Sequence, residues 1–123
     1  MTLLEKNLAL LKERCPACAD WLEKAADDPR VESLEIAPGK IDLRVTGKNK
    51  QIFLFYNTEE PLESEKKLFQ EHKFEKNCAT FLVGLGLGYN VSAIAEKMEN
   101  KHTLVVIECN ATIMKQALKV MDL

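Results

Sequence analysis

Apolar positions recur along this chain in two rhythms, one helical and one extended, and an element ends where the rhythm changes. Leu4, Leu8, Leu11, Cys15, Cys18, Leu22 and Ala25 are spaced alternately four and three apart. This is one helical stripe, and it places both cysteines on the buried face. Pro16 interrupts it, because proline removes a helix hydrogen bond and biases the preceding residue away from the α region. The pattern predicts a helix over residues 3–14, a break, and a second helix over 16–26. Such a stripe suits packing against the rest of the protein or self-association into a homo-oligomer, and Trp21 reads as a packing anchor.

After Asp27-Asp28-Pro29 the rhythm becomes alternating. Residues 31–36 and 41–45 flank Ala37-Pro38-Gly39-Lys40, where Pro-Gly suits a tight turn. A second turn at Gly47-Lys48-Asn49-Lys50 leads into 51–56, so three strands form an antiparallel meander. Its aromatics, Phe53, Phe55 and Tyr56, read as core. Pro61 then fits the first position of a helix whose amino end is acidic, with Leu62 and Phe69 on one face, running to about residue 74.

The stretch FLVGLGLGYNVSAIAEKMENKHTLVVIECN, residues 81–110, carries the most information. Residues 80–83 are apolar on both faces, as in a buried parallel strand. Gly84, Gly86 and Gly88 allow a sharp turn and close approach of a ligand. Asn90 is placed to cap the helix that follows, whose free N–H groups favour an anion or polar ligand. That helix carries Val91, Ile94, Ala95 and Met98 on one face. Residues 104–107 form the next strand, and Glu108 at its carboxyl end is where an acid would hold a ribose diol. Asn110 can cap a last helix bearing Ile113, Met114, Ala117, Leu118 and Met121.

This order is the opening half of a Rossmann-like unit. Its spacing is Gly-x-Gly-x-Gly rather than the dinucleotide Gly-x-Gly-x-x-Gly, which turns the expectation away from NAD or FAD and towards S-adenosylmethionine-type sites. Gly84, Gly86, Gly88, Tyr89, Asn90 and Glu108 are therefore the candidate binding residues. The alternative is that the glycines only make a tight strand–helix connection. The fold class expected is α/β with an α+β extension: segment 1–58 with helices and meander, and segment 59–123 as the start of a Rossmann-like domain.

Composition narrows the function. The net charge of −2, from 17 basic and 19 acidic residues, argues against an electrostatically driven nucleic-acid or membrane-surface binder. No apolar run approaches the ~20 residues of a membrane span, and the amino terminus lacks a signal-peptide layout. A cytoplasmic protein is expected. Cys15-Pro-Ala-Cys18 has no second close pair for zinc, and interrupting a helix is not where a redox CxxC belongs. Buried, reduced cysteines are the expectation. His72 and His102 receive no role. No Ser/His/Asp set, Cys/His pair or carboxylate pair is recognisable, so no catalytic residue is assigned.

Two segments together resemble a known family. The join IFLFYNTEEPLESEKKLF, and VGLGLGYNVSAIAEK followed by LVVIECNATIMKQAL, are similar to the motility accessory factor proteins. These are flagellin-modifying, glycosyltransferase-like proteins related to archaeal pterin diphosphokinase-like proteins. The resemblance spans residues 52–118 and is strongest at Gly84, Gly86, Gly88, Tyr89 and Glu108. It implies a cytoplasmic protein that moves a nonulosonic acid from a CMP-sugar donor to flagellin Ser or Thr. It also implies that this chain is the amino-terminal part, with the remainder of a longer chain as its first partner and with catalysis beyond Leu123. A fragment of an S-adenosylmethionine-dependent methyltransferase and a pure protein-interaction domain are the competing expectations.

Overall fold

A computed structural model of the chain describes residues 1–123. Helix α1 (Leu3–Arg14) opens on a capping box, in which the Thr2 hydroxyl accepts from the Glu5 N–H and the Glu5 carboxylate accepts from the Thr2 N–H. Helix α2 (Pro16–Lys24) starts at the proline, so the break falls at Cys15 and the helix ends slightly before the expected boundary. Strands β1 (Val31–Ala37), β2 (Lys40–Thr46) and β3 (Ile52–Leu54) form an antiparallel sheet in that order. Gly39 makes the two-residue turn possible, with φ +73° beside Pro38.

Helix α3 (Pro61–Leu68) is shorter than expected, stopping before Phe69 rather than near Phe74. Lys97 accounts for how the chain leaves it. Its ammonium donates to the carbonyls of Phe69, Gln70 and His72 at 2.6–2.9 Å, supplying donors to carbonyls that a continuing helix would have used. Strands β4 (Ala79–Val83) and β5 (Thr103–Ile107) pair parallel across helix α4 (Tyr89–Lys97), and helix α5 (Ala111–Ala117) follows. Asn110 caps α5 as expected, accepting from the Thr112 and Ile113 N–H groups. The fold is mixed α/β, with five helices, a three-stranded antiparallel sheet and a two-stranded parallel sheet. No helix is long and apolar enough to cross a membrane.

Two small cores hold these parts together. Leu22, Ala111 and Leu118 form one, against which Leu4, Leu8, Leu11, Cys18 and Ala25 of the helical stripe pack. Val31, Leu43 and Leu87 form the other, joined by Tyr56 and Tyr89. Each core draws on both segments of the chain, 1–58 and 59–123.

Several expectations fail, each for a tertiary reason. Cys15, Cys78 and Cys109 are exposed and Cys18 is half-buried, so the cysteines are not core residues. Trp21 is partly exposed at a cavity rather than anchoring the core, and Phe53 and Phe55 lie half in solvent. Ala95 is exposed, and Ala93 takes its expected place beside Ile94. Strand β4 is not buried on both faces, since Phe81 is 68 % and Val83 79 % exposed. Phe81 pairs with Val105 and Val83 with Ile107, so beyond the Ala79–Thr103 pair one face of the parallel sheet presents apolar side chains.

Candidate functional site

The glycine loop runs from the end of β4 to α4. Its backbone is held at nearly every step. The Gly84 N–H continues the parallel ladder by donating to the Ile107 carbonyl (2.8 Å), and the Gly88 N–H donates to the Leu85 carbonyl (3.0 Å). The Leu85 N–H donates to Glu108 Oε2 (3.1 Å), and Glu108 Oε1 accepts from the Asn110 N–H (3.3 Å). One carboxylate thus clamps the loop after β4 to the loop after β5. The Leu87 N–H donates to the Tyr56 hydroxyl (2.7 Å), which comes from the meander.

What the glycines make room for differs along the loop. A Cβ on Gly86, whose φ is +57°, would collide with the Tyr56 hydroxyl and lie 2.9 Å from the Phe55 ring. A Cβ on Gly88 (φ +85°) would lie 2.5 Å from the Met121 sulfur. Both spaces are filled by the chain's own side chains. At Gly84 (φ +92°) a Cβ would meet nothing within 4 Å. The close approach that the spacing promised to a ligand is, at Gly86 and Gly88, an approach of the protein to itself.

Tyr89 and Asn90 are also structural. The Tyr89 hydroxyl donates to the Ile41 carbonyl (3.0 Å), and its ring packs edge-on against Tyr56, centroids 5.0 Å apart. Burial raises both tyrosines above the usual phenol range, so each stays neutral, Tyr89 donating to the Ile41 carbonyl and Tyr56 accepting from the Leu87 N–H. Asn90 does not cap α4. Gly88, in the left-handed region, takes the cap position, which leaves Asn90 in the first turn. There its amide donates to the Gly84 carbonyl (3.0 Å) and so ties the loop's first residue to the helix.

Glu108 alone of the six borders a sizeable cavity. Its volume is about 550 Å³, and ten of its eleven lining residues are hydrophobic, among them Trp21, Leu85, Val106 and Met121. Glu108 supplies the charge. The space admits an apolar or flat group with one donor directed at the carboxylate, which still has unused lone pairs.

The residue types that organise this region escaped sequence reading. Asp42, fully buried, accepts from the N–H groups of Leu43 (2.7 Å), Tyr56 (2.9 Å) and Asn57 (2.8 Å). It fixes where β3 delivers Tyr56 to the loop. An acid between Ile41 and Leu43 was the available signal, although alternation alone assigns such a residue to the solvent face. Asn7, fully buried in α1, donates to the Leu118 and Met121 carbonyls and accepts from the Leu123 N–H, which holds Met121 over Gly88. His102 bridges the Thr80 hydroxyl (2.8 Å) and the Glu75 carbonyl (2.6 Å), another structural tie. No group of three or more His, Cys, Asp or Glu is placed to hold a metal ion. Comparison with family models, curated proteins and solved structures finds no match to this chain.

Proposed function

We propose that this chain is the amino-terminal, non-catalytic domain of a motility-accessory-factor-like protein, a cytoplasmic enzyme that transfers a nonulosonic acid from a CMP-sugar to flagellin Ser or Thr. The reading rests on the similarity of segments 52–69, 83–97 and 104–118 to that family. The observation that supports a non-catalytic role is the occupancy of the loop: Tyr56 fills the space at Gly86 and Met121 the space at Gly88. Glu108 spends one lone pair of each oxygen on the backbone. In this reading the loop is a scaffold, and the bare apolar face of β4 and β5 is where the remaining strands and helices of the longer protein pack.

Intact-mass measurement of flagellin tests the activity. Deleting the gene that encodes this chain is expected to remove a nonulosonic-acid increment from flagellin, and an unchanged flagellin mass overturns the reading. The second reading, an S-adenosylmethionine-dependent methyltransferase fragment, is favoured by the cavity that Glu108 shares with Trp21. Calorimetry separates the two. S-Adenosylmethionine binding that Glu108→Gln abolishes supports methyl transfer, CMP binding lost in the same variant places a donor contact in this chain, and silence from both supports the scaffold.

A further inference from the structure

The stripe of the amino-terminal helices predicts both cysteines of Cys15-Pro-Ala-Cys18 on one buried face, which would leave them inert. The structure divides them. Cys15 lies between the helices with φ −146° and ψ 75°, exposed, while Cys18 is half-buried in the first turn of α2. The pair therefore opens a helix instead of interrupting one.

We propose that Cys15 and Cys18 form a dithiol site that exchanges with small-molecule disulfides, with Cys15 as the attacking thiol and Cys18 as the resolving thiol. The proposal is independent of any ligand at the glycine loop. The Cys18 and Ala19 N–H groups both donate to the Cys15 carbonyl, at 3.0 and 3.2 Å. A turn closed in this way brings the first and fourth Cα within about 7 Å, near the upper end of the ~4.4–6.8 Å range that a disulfide spans. Oxidation thus needs no unwinding of α2, and Pro16 stiffens the link between the thiols.

The two sulfurs also differ in the way sequential exchange requires. Cys15 is the one a disulfide in solution can reach. Cys18 packs beside the core of Leu22, Ala111 and Leu118 and lines the 550 Å³ cavity. Burial first, and the neighbouring Cys15 second, push the Cys18 thiol above its ordinary range. It stays protonated and protected until a mixed disulfide forms next to it.

The Cys15 thiolate attacks one sulfur of a disulfide such as oxidised glutathione, forming a Cys15–glutathione bond and releasing one glutathione thiolate. Cys18, losing its proton to solvent, attacks Cys15 Sγ and expels the second glutathione thiolate. The protein dithiol is oxidised by two electrons, and one disulfide becomes two thiols.

The exposed, isolated Cys78 and Cys109 serve as controls within the same molecule. The reduced chain is incubated with oxidised glutathione, quenched in acid, and read by intact mass and peptide mapping. The expected product is a Cys15–Cys18 disulfide without a lasting adduct on either residue. Cys18→Ser is expected to leave glutathione on Cys15 as a lasting adduct, because the resolving thiol is gone. A stable adduct on wild-type Cys15, or adducts forming equally on Cys15, Cys78 and Cys109 with no intrachain bond, overturns the proposal. The wild-type arm decides the matter even if the serine variant folds poorly.

Discussion

Both sheets of this molecule leave apolar side chains in solvent, but only the antiparallel one also carries buried strand residues. In the antiparallel sheet, Leu43 is fully buried, and the adjacent Asp42 is buried with it because three backbone N–H groups converge on its carboxylate. In the parallel sheet, Phe81, Val83 and Ile107 lie on an open face, although their segment is the more hydrophobic in sequence. An apolar pattern says which side chains gain by leaving water. It does not say whether anything stands opposite to receive them. What decides burial here is a polar anchor: Asp42 places Tyr56, and Tyr56 binds Leu87 and occupies the space at Gly86.

The largest test of this contrast removes the anchor. Asp42→Ala strands three N–H groups near the core and should destabilise the fold by about 3–4 kcal/mol, read from the urea midpoint. A loss below about 1 kcal/mol would mean that water replaces the carboxylate and that the anchor is not needed. The glycine loop offers a graded version of the test. Gly86→Ala combines a positive φ with the Tyr56 collision and should cost roughly 2–4 kcal/mol, whereas Gly84→Ala meets open space and should cost about 1–2 kcal/mol from its φ alone. Equal effects would show that Tyr56 yields easily and that the loop is not packed shut.

Asp28 gives a pH-dependent test at the other junction, between α2 and α5. Its carboxylate accepts from Arg30 and from the Asn110 amide, while its own N–H donates to the buried Thr112 hydroxyl. The Arg30 hydrogen bonds hold its pKa well below the usual carboxylate range. A carboxyl lowered on folding contributes stability that is complete above its unfolded pKa and lost as pH falls through the folded one. Asp28→Asn should therefore melt earlier than the wild type at pH 7, with the difference shrinking as pH falls below the ordinary carboxylate pKa of about 4 towards the lowered folded value. A difference that is constant down to the acid limit contradicts the charge-assisted account. The smallest effect belongs to the open sheet. Phe81→Thr should change stability by no more than about 0.5 kcal/mol in this chain alone, and a substantially larger loss would mean that the face is covered in solution.

Local chemistry made much of the fold legible. The capping Thr2 and Asn110, the proline starts at Pro16 and Pro61 and the Pro38-Gly39 turn each act through neighbouring backbone, so their elements begin or turn close to where the sequence placed them. The parallel pairing of β4 with β5 was legible too, because a glycine turn and a helix between two apolar runs leave few other arrangements. Asn90 was misread because it competes with Gly88, whose left-handed conformation takes the cap position one residue before the helix. The end of α3 was misread because the Lys97 ammonium, remote in sequence, binds the carbonyls beyond it.

The candidate site divides in the same way. That Gly84, Gly86 and Gly88 require backbone freedom, and that Glu108 stands at a strand's carboxyl end, are properties of residue type and order, and they follow from the sequence. Which object each glycine accommodates is a question about distant side chains, Tyr56 for Gly86 and Met121 for Gly88, and only the tertiary structure decided it. The cysteines repeat the lesson: their spacing is local, whereas the exposure that separates Cys15 from Cys18 depends on how α2 lies against α5. Periodicity records the direction a side chain takes from its own backbone, and burial depends on what the rest of the chain brings to meet it.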